Sequence, residues 1–325
     1  MPKAIGNLVK LGIGKESTRG SAVSPAYWIF KTELDWQEKV EHAIEESSVG
    51  VIADATDAEI VRKWAEGSFG GNIKDKSIGL ILLSLFGEVS SAVKGGETAV
   101  YEHTFSLLNS AQHPSLTLAI DDPWQDYKFP LAMIESLEIK YERGKFINYT
   151  ASFKSKKGET ASLTASYTPE NSFRPQDFVL KIASNLSGLD AADAVNIKSA
   201  TLKFEKNLEI DDVLGSIDPV DILNKQFVCT GEIEALFEDE TTFKSAFLND
   251  VAKALRFDIK NTAVTIGNSS NPQLRIDLAK VKFTELTRAT PIGDLVVQTI
   301  GFKAFYSIED SKMLQVVLTN TVSSY

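Results

Sequence analysis

Cysteine is nearly absent from this chain: Cys229 is the only one in 325 residues. An internal disulfide framework and any Cys-rich zinc module are thereby excluded. Histidine is scarce as well, with only His42, His103 and His113. That leaves little material for His-based metal or acid–base chemistry. No run of about 18 apolar residues occurs, so no transmembrane helix and no membrane partner are expected. Residues 1–11 lack the apolar core and cleavage site of a secretory signal, so the chain is expected to be made in a cytoplasm and to stay soluble there. An excess of basic residues is missing too. Lys and Arg number 34 against 44 Asp and Glu, a net charge of -10, the reverse of what a general nucleic-acid binder needs. What remains is ordinary for a globular protein: 43% hydrophobic and 24% charged residues argue against wholesale disorder. At roughly 150 residues per domain, the length allows about two domains.

The acid is unevenly placed. Residues 35–59 hold eight acids (Asp35, Glu38, Glu41, Glu45, Glu46, Asp54, Asp57 and Glu59) against Lys39 alone. Residues 205–224 hold six (Glu205, Glu209, Asp211, Asp212, Asp218 and Asp221) against Lys206. The remainder carries 30 acids and 32 bases, so the whole negative balance lies in two short stretches. One such stretch is an ordinary solvated loop; two in similar contexts point to a purpose.

Short alternating or β-branched runs at 136–141, 146–153, 162–167, 274–286, 295–306 and 313–322 read as strands, broken at Arg143-Gly144 and Lys157-Gly158. Residues 1–24, with Gly12, Gly14 and Gly20 and Pro25 just beyond, read as an extended arm. Residues 78–86 (IGLILLSLF) form a short buried helix or strand that length alone does not resolve. Residues 242–256 read as a helix capped by Thr241 or Thr242, with Phe243, Phe247, Val251 and Leu255 on one face. The order strand, acidic loop, strand, helix, Pro-led strand, T-x-x-F-K strand occurs twice. Leu34 matches Leu202, Trp64 matches Phe227, Pro114 matches Pro272, and Thr150 to Lys154 match Thr299 to Lys303. An internal duplication is expected, joined near residues 168–175, where Pro169, Asn171 and Pro175 cluster.

Catalytic and ligand-binding patterns are weak. Gly12-Ile13-Gly14-Lys15-Glu16 lacks the first glycine and the final Ser or Thr of a phosphate-binding loop. His103 and His113 have no accompanying cysteine and one adjacent acid, Glu102, so structural roles are expected, and His42 is expected to be solvated. Asp121-Asp122-Pro123 reads as a strand-to-turn sequence, Cys229 as a buried inert thiol, and Tyr27, Trp28, Phe30 and Trp36 as packing residues at strand spacing.

Residues 11–29 (LGIGKESTRGSAVSPAYWI) resemble the N-terminal signature of the tail tube, or major tail, proteins of tailed bacteriophages. Gly12, Gly14, Glu16, Gly20, Ala22, Val23 and Pro25 fill a G-x-G-x-E-x-x-x-G-x-A-V-x-P pattern that leads into an aromatic strand. Leu85-Phe86-Gly87, His103-Thr104-Phe105 and residues 114–118 (PSLTL) are similar to that family too. The resemblance implies a mainly β chain of the duplicated-domain type, with two tandem tail-tube-like β-sandwich or barrel domains, each with one flanking helix. The expected division is an arm at 1–24, a first tube domain at 25–168 and a second at 169–325. It implies a structural virion protein of the phage tail, assembled in the host cytoplasm, with no catalytic, cofactor or metal site. Its subunits would form stacked rings around a hollow conduit for DNA ejection. With two domains per chain a ring would hold three chains, a single larger domain in a true hexamer being the alternative. A negative lumen lets DNA pass without specific binding, which makes Glu38, Glu41, Glu45, Glu46, Glu209, Asp211, Asp212 and Asp218 candidate lumenal acids. Gly12, Gly14, Glu16, Gly20 and Pro25 would belong to an assembly arm. Expected partners are further copies of the chain and the tape measure, tail tip and terminator proteins. Two other readings stand beside this one: a monomeric or small-oligomer tail-tip or adhesin-like binding β-sandwich, and a hydrolase using paired carboxylates such as Glu45-Glu46 or Asp121-Asp122. No pattern marks such a pair.

Overall fold

Period-two alternation of buried and exposed side chains runs through most of the molecule, so most of it is strand. The computed structural model describes residues 3, 5–237, 240, 242–290, 292–293 and 295–325. The first run of elements is β1 (Lys10–Lys15), β2 (Tyr27–Ile29), β3 (Lys31–Glu45), β4 (Asp57–Asn72), α1 (Ile78–Phe86), β5 (Gly87–Val93), β6 (Tyr101–Leu107), β7 (Leu116–Asp121), β8 (Asp126–Glu142), β9 (Asn148–Ser155) and β10 (Glu159–Ala161). The second run is β11 (Phe178–Ala183), β12 (Ala194–Val195), β13 (Ser199–Asp211), β14 (Asp221–Leu236), α2 (Lys244–Leu248), β15 (Lys253–Lys260), β16 (Gln273–Ala289), β17 (Val297–Phe305) and β18 (Leu314–Asn320). The protein is mainly β, with antiparallel pairing throughout the described residues.

One pairing scheme occurs twice. In the first half β2 pairs with β1, β1 with β7, β7 with β8, β8 with both β10 and β9, β9 with β4, and β4 with β3. In the second half β12 pairs with β11, β11 with β15, β15 with β16, β16 with both β18 and β17, β17 with β14, and β14 with β13. Fine details repeat as well. Phe153 lies opposite Ile134 and Phe302 opposite Phe283, both 149 residues on, and each strand pair has a bulge one step later. Gly67 lies opposite Phe153, and Gly231 opposite Phe302. A Cβ on Gly67 would come within 2.2 Å of the Asp35 carbonyl, and one on Gly231 within 2.6 Å of the Thr201 carbonyl. Both positions therefore need glycine for the same close backbone approach.

The long strands β8 and β16 change partners along their length, β8 from β7 and β10 to β9 and β13, and β16 from β15 and β18 to β17. In β8 the bend falls at Pro130 and at Leu131, which has a φ of 56°. The apolar faces of the layers share one core, running from Leu11 and Ile13 through Phe69, Phe153 and Phe204 to Phe257 and Phe302. α1 is buried along its whole length inside this core, which settles the helix-or-strand ambiguity as helix. It stops at Gly87, whose φ of 93° is the left-handed cap that glycine takes readily. Glu170 accepts from the Ser77 and Lys76 N–H groups at its start.

Several expectations need correction. Part of the expected arm is a strand: β1 lies between β2 and β7, with residues 11–14 buried. The helix expected at 242–256 is only Lys244–Leu248; Asp250, with φ 51°, ends the helical region, and Leu255, Phe257 and Ile259 alternate inward from β15. A spacing of four between Val251 and Leu255 imitated a helix face where strand alternation had already begun. Thr241, one of the two cap candidates, lies outside the described residues. Residues 162–167 carry no strand. The strand pairing recurs, but several of the sequence matches are shifted in register. Trp36 and Leu202 are the true counterparts, since each lies opposite the repeated glycine. By the same glycines Trp64 matches Val228 rather than Phe227. Pro114 leads into β7, whereas Pro272 leads into the counterpart of β8.

Candidate assembly surface

The two halves are joined edge to edge. β13 pairs with the end of β8 from Ser199 opposite Glu142 to Glu205 opposite Ser136. This makes one eight-stranded antiparallel sheet in the order β3-β4-β9-β8-β13-β14-β17-β16, running through both halves. One face packs on the core through Phe69, Ala151, Leu137, Leu202, Ile233 and Ile300. The opposite face is polar. Its acids include Asp35, Glu66, Glu138, Glu205, Glu232 and Glu285, interleaved with Lys39, Lys140, Lys154 and Lys203. Ion pairs run across it: Lys39 with Glu66 at 3.2 Å, Lys154 with Glu135 at 2.6 Å, Lys140 with Glu138 at 2.7 Å.

The acidic stretches are two long hairpins, β3–β4 and β13–β14, that reach past the end of β9. Arg62 brings them together, 3.6 Å from Glu41 of its own hairpin and 2.7 Å from Asp212 of the other. The Lys63 N–H also donates to the Ile217 carbonyl. Glu209 is paired with Lys225 at 2.6 Å and Asp218 with Lys157 at 3.0 Å. Glu45 and Glu46 are exposed near the first tip. Glu38 points to the core side of β3 and accepts from the Gly158 N–H. Glu41, Glu209 and Asp211 fall on the polar face, since Leu208 and Ile210 pack inward against Leu131 and Met133. Both tips carry exposed apolar residues: Val49, Val51 and Ile52 on the first, Val213, Leu214 and Ile217 on the second.

The signature residues of the N-terminal segment pack within the chain. A Cβ on Gly12 would meet Pro25 at 2.7 Å, and one on Gly14 would meet the Ser24 carbonyl at 2.6 Å. The glycines thus let residues 24–25 lie directly on β1. Glu16 is buried, and its carboxylate accepts from the N–H groups of Gly20 and Leu131 and from the hydroxyls of Ser115 and Thr117. It holds both the 16–20 turn, where Gly20 has φ 78°, and the left-handed Leu131 at the bend of β8. Arg19 reaches the other half, donating to Asp221 and to the Ile222 carbonyl, and also donates to the His113 carbonyl of its own half.

The family model described as phage tail tube protein matches residues 6–304 of this chain. The chain belongs to that family. No curated protein matches it. As a phage tail tube protein it is a structural component of the virion tail, and membership implies self-association and association with other tail proteins.

The polar residues outside the tail tube sheet take structural places. His103 is buried between Ser91 and Asn320, and burial holds its pKa below the ordinary histidine value. His113 lies between the carbonyls of Leu85 and Leu108 and is lowered in the same way. Asp121 pairs with Lys10 at 3.0 Å, and Asp122 accepts from the Trp124 N–H in the following turn. Cys229 is fully buried, and burial pushes its thiol pKa up. Among the described residues no group of three or more His, Cys, Asp or Glu is placed to hold a metal ion. Sequence reasoning missed Arg19 and the β8–β13 joint. Glu16 it found only as a signature position, although an acid among glycines in an otherwise buried strand region is the kind of residue that anchors a turn.

Proposed function

We propose that three copies of this chain close into a ring of six similar units, and that such rings stack into a hollow tube through which DNA leaves the virion. The observation that carries this reading is the repeated pairing scheme joined within one chain by β8 and β13. One chain then supplies two units and one joint of a closed ring, and three chains supply six units. The polar face of the eight-stranded sheet is the wall of the conduit in this reading. Its acids, with Glu41, Glu209 and Asp211 at the hairpin bases, keep phosphates from sticking. The exposed apolar hairpin tips and the exposed Ile5 and Leu8 of the N-terminal segment contact neighbouring rings, while tape measure, tail tip and terminator proteins meet the ends of the tube. Assembly takes place in the host cytoplasm, and DNA passes without specific binding. Native mass spectrometry of isolated rings tests the stoichiometry. Three chains are expected; six would overturn the two-units-per-chain reading and favour a true hexamer.

A further inference from the structure

The two end strands of the eight-stranded sheet each have an edge without a strand partner among the described residues. One is the outer edge of β3, which pairs only with β4. The other is the outer edge of β16 at residues 282–289, beyond Val281, where β15 stops. The chain itself contains the joint that these edges would make. β13, the counterpart of β3, already lies along the end of β8, the counterpart of β16.

We propose that β3 of one chain pairs antiparallel with the end of β16 of a second copy, in the register that β13 keeps on β8. This deepens the ring reading above and rests on it. The repeated glycines and bulges carry the register across. Leu202 opposite Ile139 becomes Trp36 opposite Arg288. Phe204 opposite Leu137 becomes Glu38 opposite Leu286. Lys203 opposite Glu138 becomes Gln37 opposite Thr287, and Glu205 opposite Ser136 becomes Lys39 opposite Glu285.

The side chains suit that register. On the polar face, Lys39 meets Glu285, an opposite-charge cross-strand pair. On the core face, Glu38 lies diagonal to Arg288, whose Nε and Nη2 are buried without a hydrogen-bond partner among the described residues. Val40 is 44% exposed on the free edge, while its counterpart Lys206 is buried beneath α1 with its Nζ on the Ser84 carbonyl. Docking would place Val40 beneath α2 of the neighbour in the same way. The inner joint uses apolar Phe204 and Ile139 where the outer one uses Glu38 and Arg288. The two joints therefore share geometry but not chemistry, which keeps β3 from competing with β13 for β8. Closing the ring also leaves no edge of the eight-stranded sheet open to irregular association.

A cysteine pair reads the register directly. The variant carrying Gln37→Cys and Thr287→Cys has only the fully buried Cys229 as background thiol. After oxidation of assembled rings, a covalent three-chain species is expected on denaturing, non-reducing gels. Charge reversal gives a second readout. Lys39→Glu or Glu285→Lys alone should lower ring yield about tenfold or more, since each ring repeats the joint, and the double variant should restore it. Rings visible by electron microscopy with neither cross-link nor rescue would overturn this strand pairing and leave the tail tube reading standing. Absence of rings or tubes from the unaltered protein at any concentration would instead defeat the ring reading, and this pairing with it.

Discussion

The two halves share a strand scheme but differ in what surrounds each strand. β3 and β13 are counterparts, yet β13 is internal and β3 is an edge. Leu202, Phe204 and Lys206 are buried, whereas Glu38 and Val40, the counterparts of the last two, are exposed and Trp36 is only partly covered. The first half also carries the β5–β6 hairpin, whose strand β6 pairs with β18 of the second half. Its helix has nine residues, all buried; the second half's has five, of which Ala246 is buried. A duplicated scheme thus tolerates wide divergence in side chains provided that pairing, bulges and close-approach glycines are kept. Those features fix the backbone, and packing adapts around it.

The largest expected effect comes from removing residues 1–15. In an arm model this would weaken assembly alone. Here β1 buries Leu11 and Ile13 completely and pairs along all of β7. Two such side chains contribute about 1.5–3 kcal/mol each, and β7 would lose its ladder as well, which is comparable with the whole stability of a typical domain. The truncated monomer should lose its near-UV circular dichroism. A native spectrum with unchanged melting would show that β1 is dispensable and restore the arm.

The polar anchors should have a smaller effect, and they test whether the halves are one folding unit. Thr117 is bound by the Glu16 carboxylate; Arg256 bridges Asp277 at 2.6 Å and Asp190 at 2.5 Å. Each half thus has a buried charged anchor, of opposite sign. Glu16→Ala leaves several donors unpaired at about 1–3 kcal/mol each, and Arg256→Ala leaves Asp277 with Arg275 alone, 3.5 Å away, at about 3 kcal/mol. All four tryptophans, Trp28, Trp36, Trp64 and Trp124, lie in the first half. Because Tyr141 of β8 stacks on Phe257, and Phe86 of α1 packs on Phe204 and Phe227, Arg256→Ala should lower the urea midpoint seen by tryptophan fluorescence as much as that seen by circular dichroism. A shift in circular dichroism alone would mean two independent domains.

How much of this was legible in the sequence follows from which signals are local. Alternation in 136–141, 146–153 and 274–286 survives in the structure because each strand has one buried face, and Thr150 to Lys154 aligned with Thr299 to Lys303 in true register. The acidic hairpins were visible as charge, though not the Arg62–Asp212 contact that joins them. β1 was hidden because Gly12 and Gly14, needed for the approach of residues 24–25, read as flexibility rather than close packing. β15 was hidden because the four-residue spacing of Phe243, Phe247, Val251 and Leu255 ran a helix-like pattern into the start of its alternation. The β8–β13 joint depends on pairing between residues about 60 apart, for which no local signal exists.

The smallest effect, and the sharpest test of edge against interior, concerns Lys206. Its counterpart Val40 is exposed, whereas Lys206 is 1% exposed, and burial, reinforced by Arg19, pushes its pKa down to about 7. The unfolded chain keeps this group near the ordinary lysine value of about 10.4. Between about pH 7 and 10 the unfolded state therefore binds more protons, and stability rises with pH across that window. Below about pH 7 the folded protein holds a buried charge and the full penalty applies. Lys206→Met should flatten that rise and raise stability at pH 6 by about 1–3 kcal/mol, the scale of an imperfectly compensated buried polar group. Val40→Lys in the isolated monomer should change nothing comparable, because that site is solvated. Equal pH slopes for the unaltered protein and Lys206→Met, followed by chemical denaturation from pH 6 to 10, would show that Lys206 is hydrated in solution and that the interior joint is looser than its geometry indicates.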